Sequence, residues 1–155
     1  MIDAHVHVWT PGAHGCVWPT VDLPTLYRSF DLDDFRAAGA QDVARVMLVQ
    51  SQEDARDTAW LMALAEHDPL VAGVIGWTDL LAPDAAAAVA KLATARPLRG
   101  LRPMVQDRPA DWYDDPRLDA GLAAMTHAGL VLDALVRPAT SRRSRGWRSA
   151  IRRFP

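Results

Sequence analysis

Cysteine, lysine and long apolar runs are the scarce features of this 155-residue sequence. Its one cysteine, Cys16, can form no intrachain disulfide, which suits a reducing cytoplasm and a small loop or core residue. No apolar run reaches the roughly 18 residues that a membrane span needs, so a membrane is not an expected partner. No basic stretch leading into an apolar one precedes Ile2, so no secretion signal is expected. Charged side chains make up only 23% of the chain and hydrophobic ones 50%, which argues against disorder and supplies one ordinary domain with a core. A Gly-rich phosphate loop is missing after the first apolar run, which sets aside the dinucleotide-binding α/β class.

Acidic residues are missing from the end of the chain. Arg142, Arg143, Arg145, Arg148, Arg152 and Arg153 all follow Pro138, whereas all nineteen acidic side chains precede it. The composition therefore divides into residues 1–138 and a basic tail, 139–155. Such a tail can be a solvated extension or a nucleic-acid contact. The reading adopted is a frame slip. Codons for 139–155 read one base over permit a string with the apolar spacing of an amphipathic helix ending in His-Pro. Nucleic acid is accordingly not an expected partner.

What is present is alternation. Residues 2–8, 43–50, 70–77, 98–105 and 130–136 are short apolar runs rich in Val, Leu and Ile, several of them apolar nearly throughout, as strands buried on both faces are. Between them, 32–38, 53–67, 85–95 and 116–128 predict helices. Ser51 with Asp54 resembles a capping box, Pro83 suits a first helical turn, and Gly129 a C-terminal stop. The order βαβαβαβαβ implies parallel strands with right-handed crossovers, in an open doubly wound sheet or part of a (β/α)8 barrel. The segment 9–30 is long, aromatic and punctuated by Pro and Gly, like an active-site loop.

The sharpest chemical signal is Asp3-Ala4-His5-Val6-His7. Period-two geometry places Asp3, His5 and His7 on one face of the first strand and its aliphatic residues on the other. Two imidazoles at i and i+2 can share a Zn²⁺ that activates water for attack on a carbonyl. A bare His-x-His also arises by chance. Its position at the end of an opening parallel strand, where barrel active sites sit, favours the metal reading.

The motifs Ile2-Asp3-Ala4-His5-Val6-His7-Val8-Trp9, Met47-Leu48-Val49-Gln50, Gly73-Val74-Ile75-Gly76-Trp77-Thr78-Asp79-Leu80, Gly100-Leu101-Arg102, Val105-Gln106-Asp107 and Leu130-Val131-Leu132-Asp133-Ala134-Leu135-Val136-Arg137-Pro138 occur in that order. Together they resemble the successive strand motifs of amidohydrolase-related (amidohydrolase-2) barrel hydrolases. The similarity is to the branch with L-fucono- and L-rhamnonolactonases, with 2-pyrone-4,6-dicarboxylate hydrolase as a relative. It covers residues 1–138. The resemblance implies an α/β fold comprising about five strands of the N-terminal part of a (β/α)8 barrel. A complete barrel takes about 250 residues, so a truncated version is expected. The shifted reading of the tail also resembles the segment after the fifth strand in these lactonases.

The resemblance further implies that His5 and His7 are catalytic and hold a divalent metal, zinc foremost, whose requirement stays open. Trp9, Gln50, Trp77, Asp79, Arg102 and Asp133 then fall at substrate-binding positions. Other readings stay beside these. Gln50 and Asp79 can cap the following loop or helix, Trp77 can be core, and the partner of Arg102 or Asp133 can be structural. The binuclear members use a carboxylated strand-end lysine, and the only lysine here, Lys91, falls in a helix. His14, His67 and His127 are expected at the surface. The implied activity is hydrolysis of a sugar lactone or related carboxylic ester. The alternative is a non-catalytic remnant or a half-barrel that pairs with another chain. A small-molecule lactone or ester is the expected partner, and a homo-oligomer is left open.

Overall fold

Each Val- and Leu-rich run becomes a parallel strand, because such side chains fit a pleated surface buried on both faces. The computed structural model describes residues 1–39 and 42–136. Arg137, Pro138 and the tail 139–155, with the expectations attached to them, lie outside the described residues. In chain order the elements are β1 (Ile2–Val6), α1 (Leu32–Ala37), β2 (Arg45–Val49), α2 (Ala55–His67), β3 (Val71–Gly76), α3 (Ala85–Leu92), β4 (Leu98–Leu101), a 3-10 turn (Trp112–Asp114), α4 (Leu118–His127) and β5 (Val131–Leu132). The sheet order is β1-β2-β3-β4-β5. A doubly wound sheet reverses its order at a switch point, and this one does not. Progression in chain order is barrel topology.

The chain divides into two units. The first comprises Met1–Trp77 with Pro97–Arg99. Within it β1 pairs with β2 (Ile2 opposite Arg45, Val6 opposite Leu48), and β2 pairs with β3 (Leu48 opposite Val74, Val49 opposite Ile75). Val6, Val8, Val46, Leu48, Val71 and Val74 pack with Leu32 of α1 and Leu61 of α2 into one apolar core. Gly76 ends β3 directly against α2, where a β-carbon would stand 2.6 Å from the Thr58 methyl. Its absence lets the Thr58 hydroxyl bracket Trp77, accepting from the backbone N–H (2.7 Å) and donating to the C=O (3.1 Å).

The second unit comprises Thr78–Arg96 and, among the described residues, 100–136. Here β4 pairs with β5, Gly100 opposite Val131 and Leu101 opposite Leu132. Leu80, Ala85, Val89, Leu118, Leu122 and Met125 are buried. Gly129 takes a left-handed φ of 66° just after α4, a conformation that costs glycine nothing and stops the helix as expected.

Strand ends differ from expectation for a local reason. Strand β4 stops at Leu101, ahead of Pro103, which has no N–H for a ladder. Helix α2 begins at Ala55 with Asp54 as its N-cap, so Ser51 and Asp54 do not form the expected capping box. The capping box lies instead at α1, where Asp31 accepts from the N–H groups of Asp33 and Asp34, and Asp34 accepts from the N–H of Asp31. Pro83 precedes α3, which starts at Ala85.

Candidate functional site

Alternation along β1 continues past the strand itself. Val6 and Val8 are buried, while His5, His7 and Trp9 take the opposite face. The Asp3 carboxylate accepts the His5 backbone N–H at 3.0 Å. The two imidazoles meet edge to face, and their Nε2 atoms lie 3.1 Å apart. On the far side of the His7 ring, Nδ1 is 2.7 Å from the carbonyl oxygen of Val49, the last residue of β2. A carbonyl only accepts, so Nδ1 carries the proton and the Nε2 of neutral His7 is left with its lone pair facing His5.

This arrangement suits a shared cation on two counts. Two ring nitrogens on one tetrahedral zinc, each at about 2.0–2.1 Å, stand about 3.3 Å apart, close to the spacing found here. The backbone bond to Nδ1 is the outer contact by which proteins fix the tautomer and orientation of a metal-binding histidine. Two nitrogens are a partial ligand set. Among the described residues, no group of three or more His, Cys, Asp or Glu side chains is placed to hold a metal.

The first unit also holds three more of the expected residues. Gln50 follows β2, fully buried, its N–H donated to Ile75. Trp77 follows β3, half-buried, with its backbone held by Thr58. Trp9 forms an antiparallel bridge with Phe30, packs on that ring at 4.7 Å, and donates its indole N–H to Leu26. Of the expected surface histidines, His14 stacks flat on Trp60 at 4.5 Å and His67 closes back on the Ala63 carbonyl; both are exposed, as is His127.

The second unit holds the other three. Arg102 is buried just beyond β4, and burial lowers its pKa while the negative charge of Asp133 opposes the fall. Tyr113 shares this environment. Burial, reinforced by Asp133, pushes its hydroxyl well above the usual range, so it remains a neutral phenol. Asp133 follows β5 and ties its N–H to the Leu101 carbonyl. Arg102 and Asp133 are thus electrostatic partners. Asp79 is exposed and caps a turn, accepting the N–H of Leu81 at 2.9 Å, which is the capping role weighed for it from sequence.

Three residues escaped the sequence reading. Buried Asp57 accepts the N–H groups of Ser51 and Gln52, buried Gln52 binds the backbone of the β1–α1 loop, and Tyr113 joins Arg102. Only Tyr113 carried a signal, an aromatic pair (Trp112-Tyr113) between two proline turns.

The amidohydrolase family model matches residues 2–155. The chain belongs to the amidohydrolase family. This amidohydrolase is 41% identical over 139 residues to an L-fucono-1,5-lactonase of Burkholderia ambifaria, a match covering 88% of the chain and 48% of that protein. It is 33% identical over 139 residues to an L-fucono-1,5-lactonase of Burkholderia multivorans, covering 87% and 46%. A crystal structure of an amidohydrolase from Burkholderia multivorans with bound zinc superposes with a TM-score of 0.76 at 32% identity, over 87% of this chain and 48% of that one. The fold is α/β, corresponding to part of a (β/α)8 barrel. The chain spans about half the length of the curated relatives it matches. No helix among the described residues is long and apolar enough to cross a membrane.

Proposed function

We propose that this amidohydrolase contributes the metal-holding opening of a hydrolase that acts on a sugar lactone or related cyclic ester. The observation that carries the reading is the His5–His7 pair, with Nε2 atoms 3.1 Å apart and the second ring oriented by the Val49 carbonyl. The lactonase relatives supply the substrate class, and the zinc in the related crystal supplies the metal.

A zinc ion bound at the pair would serve as a Lewis acid and bring the pKa of a water toward neutrality. His5 and His7 would hold it through Nε2, with the Val49 carbonyl keeping the His7 ring turned toward it. Trp9 and Trp77 would offer aromatic faces to the apolar side of a sugar ring, and Gln50 an amide to its hydroxyls. Asp79, Arg102 and Asp133 keep their substrate-binding assignment on the resemblance. Arg102 is the one fitted to steady negative charge on an ester oxygen. The tail 139–155 enters as a shifted-frame product, a point decided by sequencing the DNA beyond the codon for Pro138.

The test is zinc content of the purified chain beside His5→Ala and His7→Ala, with hydrolysis of L-fucono-1,5-lactone assayed on the frame-restored protein and its two histidine variants. Zinc retained by the parent and lost from both variants, with lactone opened by the frame-restored protein and not by its histidine variants, is the expected result. Zinc held equally by all three would sink the assignment. Zinc held by the parent with no lactone opened would leave the non-catalytic alternative standing.

A further inference from the structure

The β1–α1 loop is held by a device that the lactone-binding assignment does not use. Gln52 lies just beyond β2 and is only 3% exposed, and apart from one bond to the Ser51 hydroxyl (3.0 Å) its amide bonds go to a segment 34 residues away. Its Oε1 accepts the N–H groups of Val17 (3.0 Å) and Trp18 (3.3 Å), and its Nε2 donates to the Trp18 carbonyl (2.7 Å). The same carbonyl receives the Cys16 thiol at 3.1 Å. Asp57 fixes the donor end, accepting the backbone N–H groups of Ser51 and Gln52. The N–H and the C=O of Trp18 are thereby both fastened to the strand β2 end that also orients His7.

The side chain so positioned is not buried. Trp18 remains 47% exposed, with its ring 6.2 Å from that of Trp9 at a 50° tilt. Trp9 is two residues beyond His7 on the same face of the chain. A buried clamp that holds a large aromatic ring partly in water does not serve the core. It costs apolar exposure and leaves a π-face beside Trp9, the residue two beyond His7.

We propose that Trp18 is a specificity-determining residue that stacks on the apolar face of a six-membered sugar ring presented to His5 and His7, and that Gln52 is its positioning residue. This rests on the lactone-hydrolase reading of the same site. Stacking contributes to ring binding and not to holding the metal, so the two can be separated.

The test uses L-fucose, a ring of the same size with no ester to hydrolyse, titrated calorimetrically into the zinc-loaded chain, Trp18→Ala, Trp18→Phe and Gln52→Ala. The exposed position of Trp18 makes its variants safe for folding, which circular dichroism checks for Gln52→Ala. Trp18→Ala and Gln52→Ala are expected to weaken binding about tenfold with zinc content unchanged, and Trp18→Phe to stay within about threefold of the parent. Equal affinity for the parent and Trp18→Ala, or no saturable binding by a parent that holds zinc, overturns the platform and leaves the metal assignment intact. Loss of zinc from the parent itself would instead strike the underlying reading.

Discussion

The Nδ1–H of His7 is donated to the main-chain carbonyl of Val49 across 2.7 Å, joining the histidine face of the first strand to the end of the second. Main-chain carbonyls cannot change protonation state, so this partner selects one tautomer at every pH at which the ring is neutral. The selected tautomer puts the Nε2 lone pair on the side of His5, where the proposed metal would sit.

Removing either imidazole should therefore cost more than misorienting one. His5→Ala and His7→Ala are each expected to lower zinc affinity by more than the roughly 10- to 100-fold typical of losing an orienting partner. Competition against a chromogenic chelator measures it. A loss under tenfold for either variant would show that the pair does not share the ion.

The contact of Gly76 with α2 gives a second expectation. Gly76→Ala drives a methyl into Thr58 and should destabilise the first unit by about 1–3 kcal/mol in urea unfolding. Thr58→Ser removes the offending methyl and keeps the hydroxyl that brackets Trp77. The double variant should recover at least half of the loss, and strict additivity would show that the close approach is not the cause.

Leu61 lies wholly buried on α2 among Val46, Leu48 and Val74. Leu61→Ala is expected to cost about 3 kcal/mol, the sum of lost transfer energy and the cavity left behind. A midpoint shift equivalent to less than about 1 kcal/mol would mean that α2 does not seal this core.

Two carboxyl groups set opposite pH dependences. Burial raises the pKa of Asp57 against the pull of the Ser51 and Gln52 N–H groups and of His14. A raised acid holds its proton better folded than unfolded, so this group favours the fold at acid pH, and that benefit is lost as pH rises through its folded pKa. Asp54, held down to about 2 by hydrogen bonds from Arg56, behaves in reverse. Its contribution is present above the ordinary value of 3.8 and is lost as pH falls toward 2. Asp57→Asn keeps an acceptor without the charge. Its Tm relative to the parent should be more favourable at pH 7 than at pH 4, and a pH-independent difference would refute the assigned cause.

Much of the fold is legible in one sequence because its signals are local. The run Val71–Gly76 is apolar throughout, which only a strand buried on both faces needs, and His5-Val6-His7 announces its shared face by alternation alone. Boundaries are less legible, since β4 stops ahead of Pro103, which lacks a donor, although apolar Met104 and Val105 follow it. Gln52 is illegible for a different reason. Its significance lies in bonds to Val17 and Trp18, and no pattern around position 52 records them. The link between Arg102, Tyr113 and Asp133 is equally non-local.

The bridge between Trp9 and Phe30, closed by two hydrogen bonds of 3.0 Å and capped by Arg28 lying 3.5 Å over the Phe30 ring, acts as a drawstring. Between the Gln52 clamp on Val17 and Trp18 and this knot, the loop's length can drift with little penalty. Doubling such a loop costs only about 0.6 kcal/mol in closure entropy. Insertions and deletions in the pouch can retune what it touches while the strand behind the knot, with its two imidazoles, stays in register.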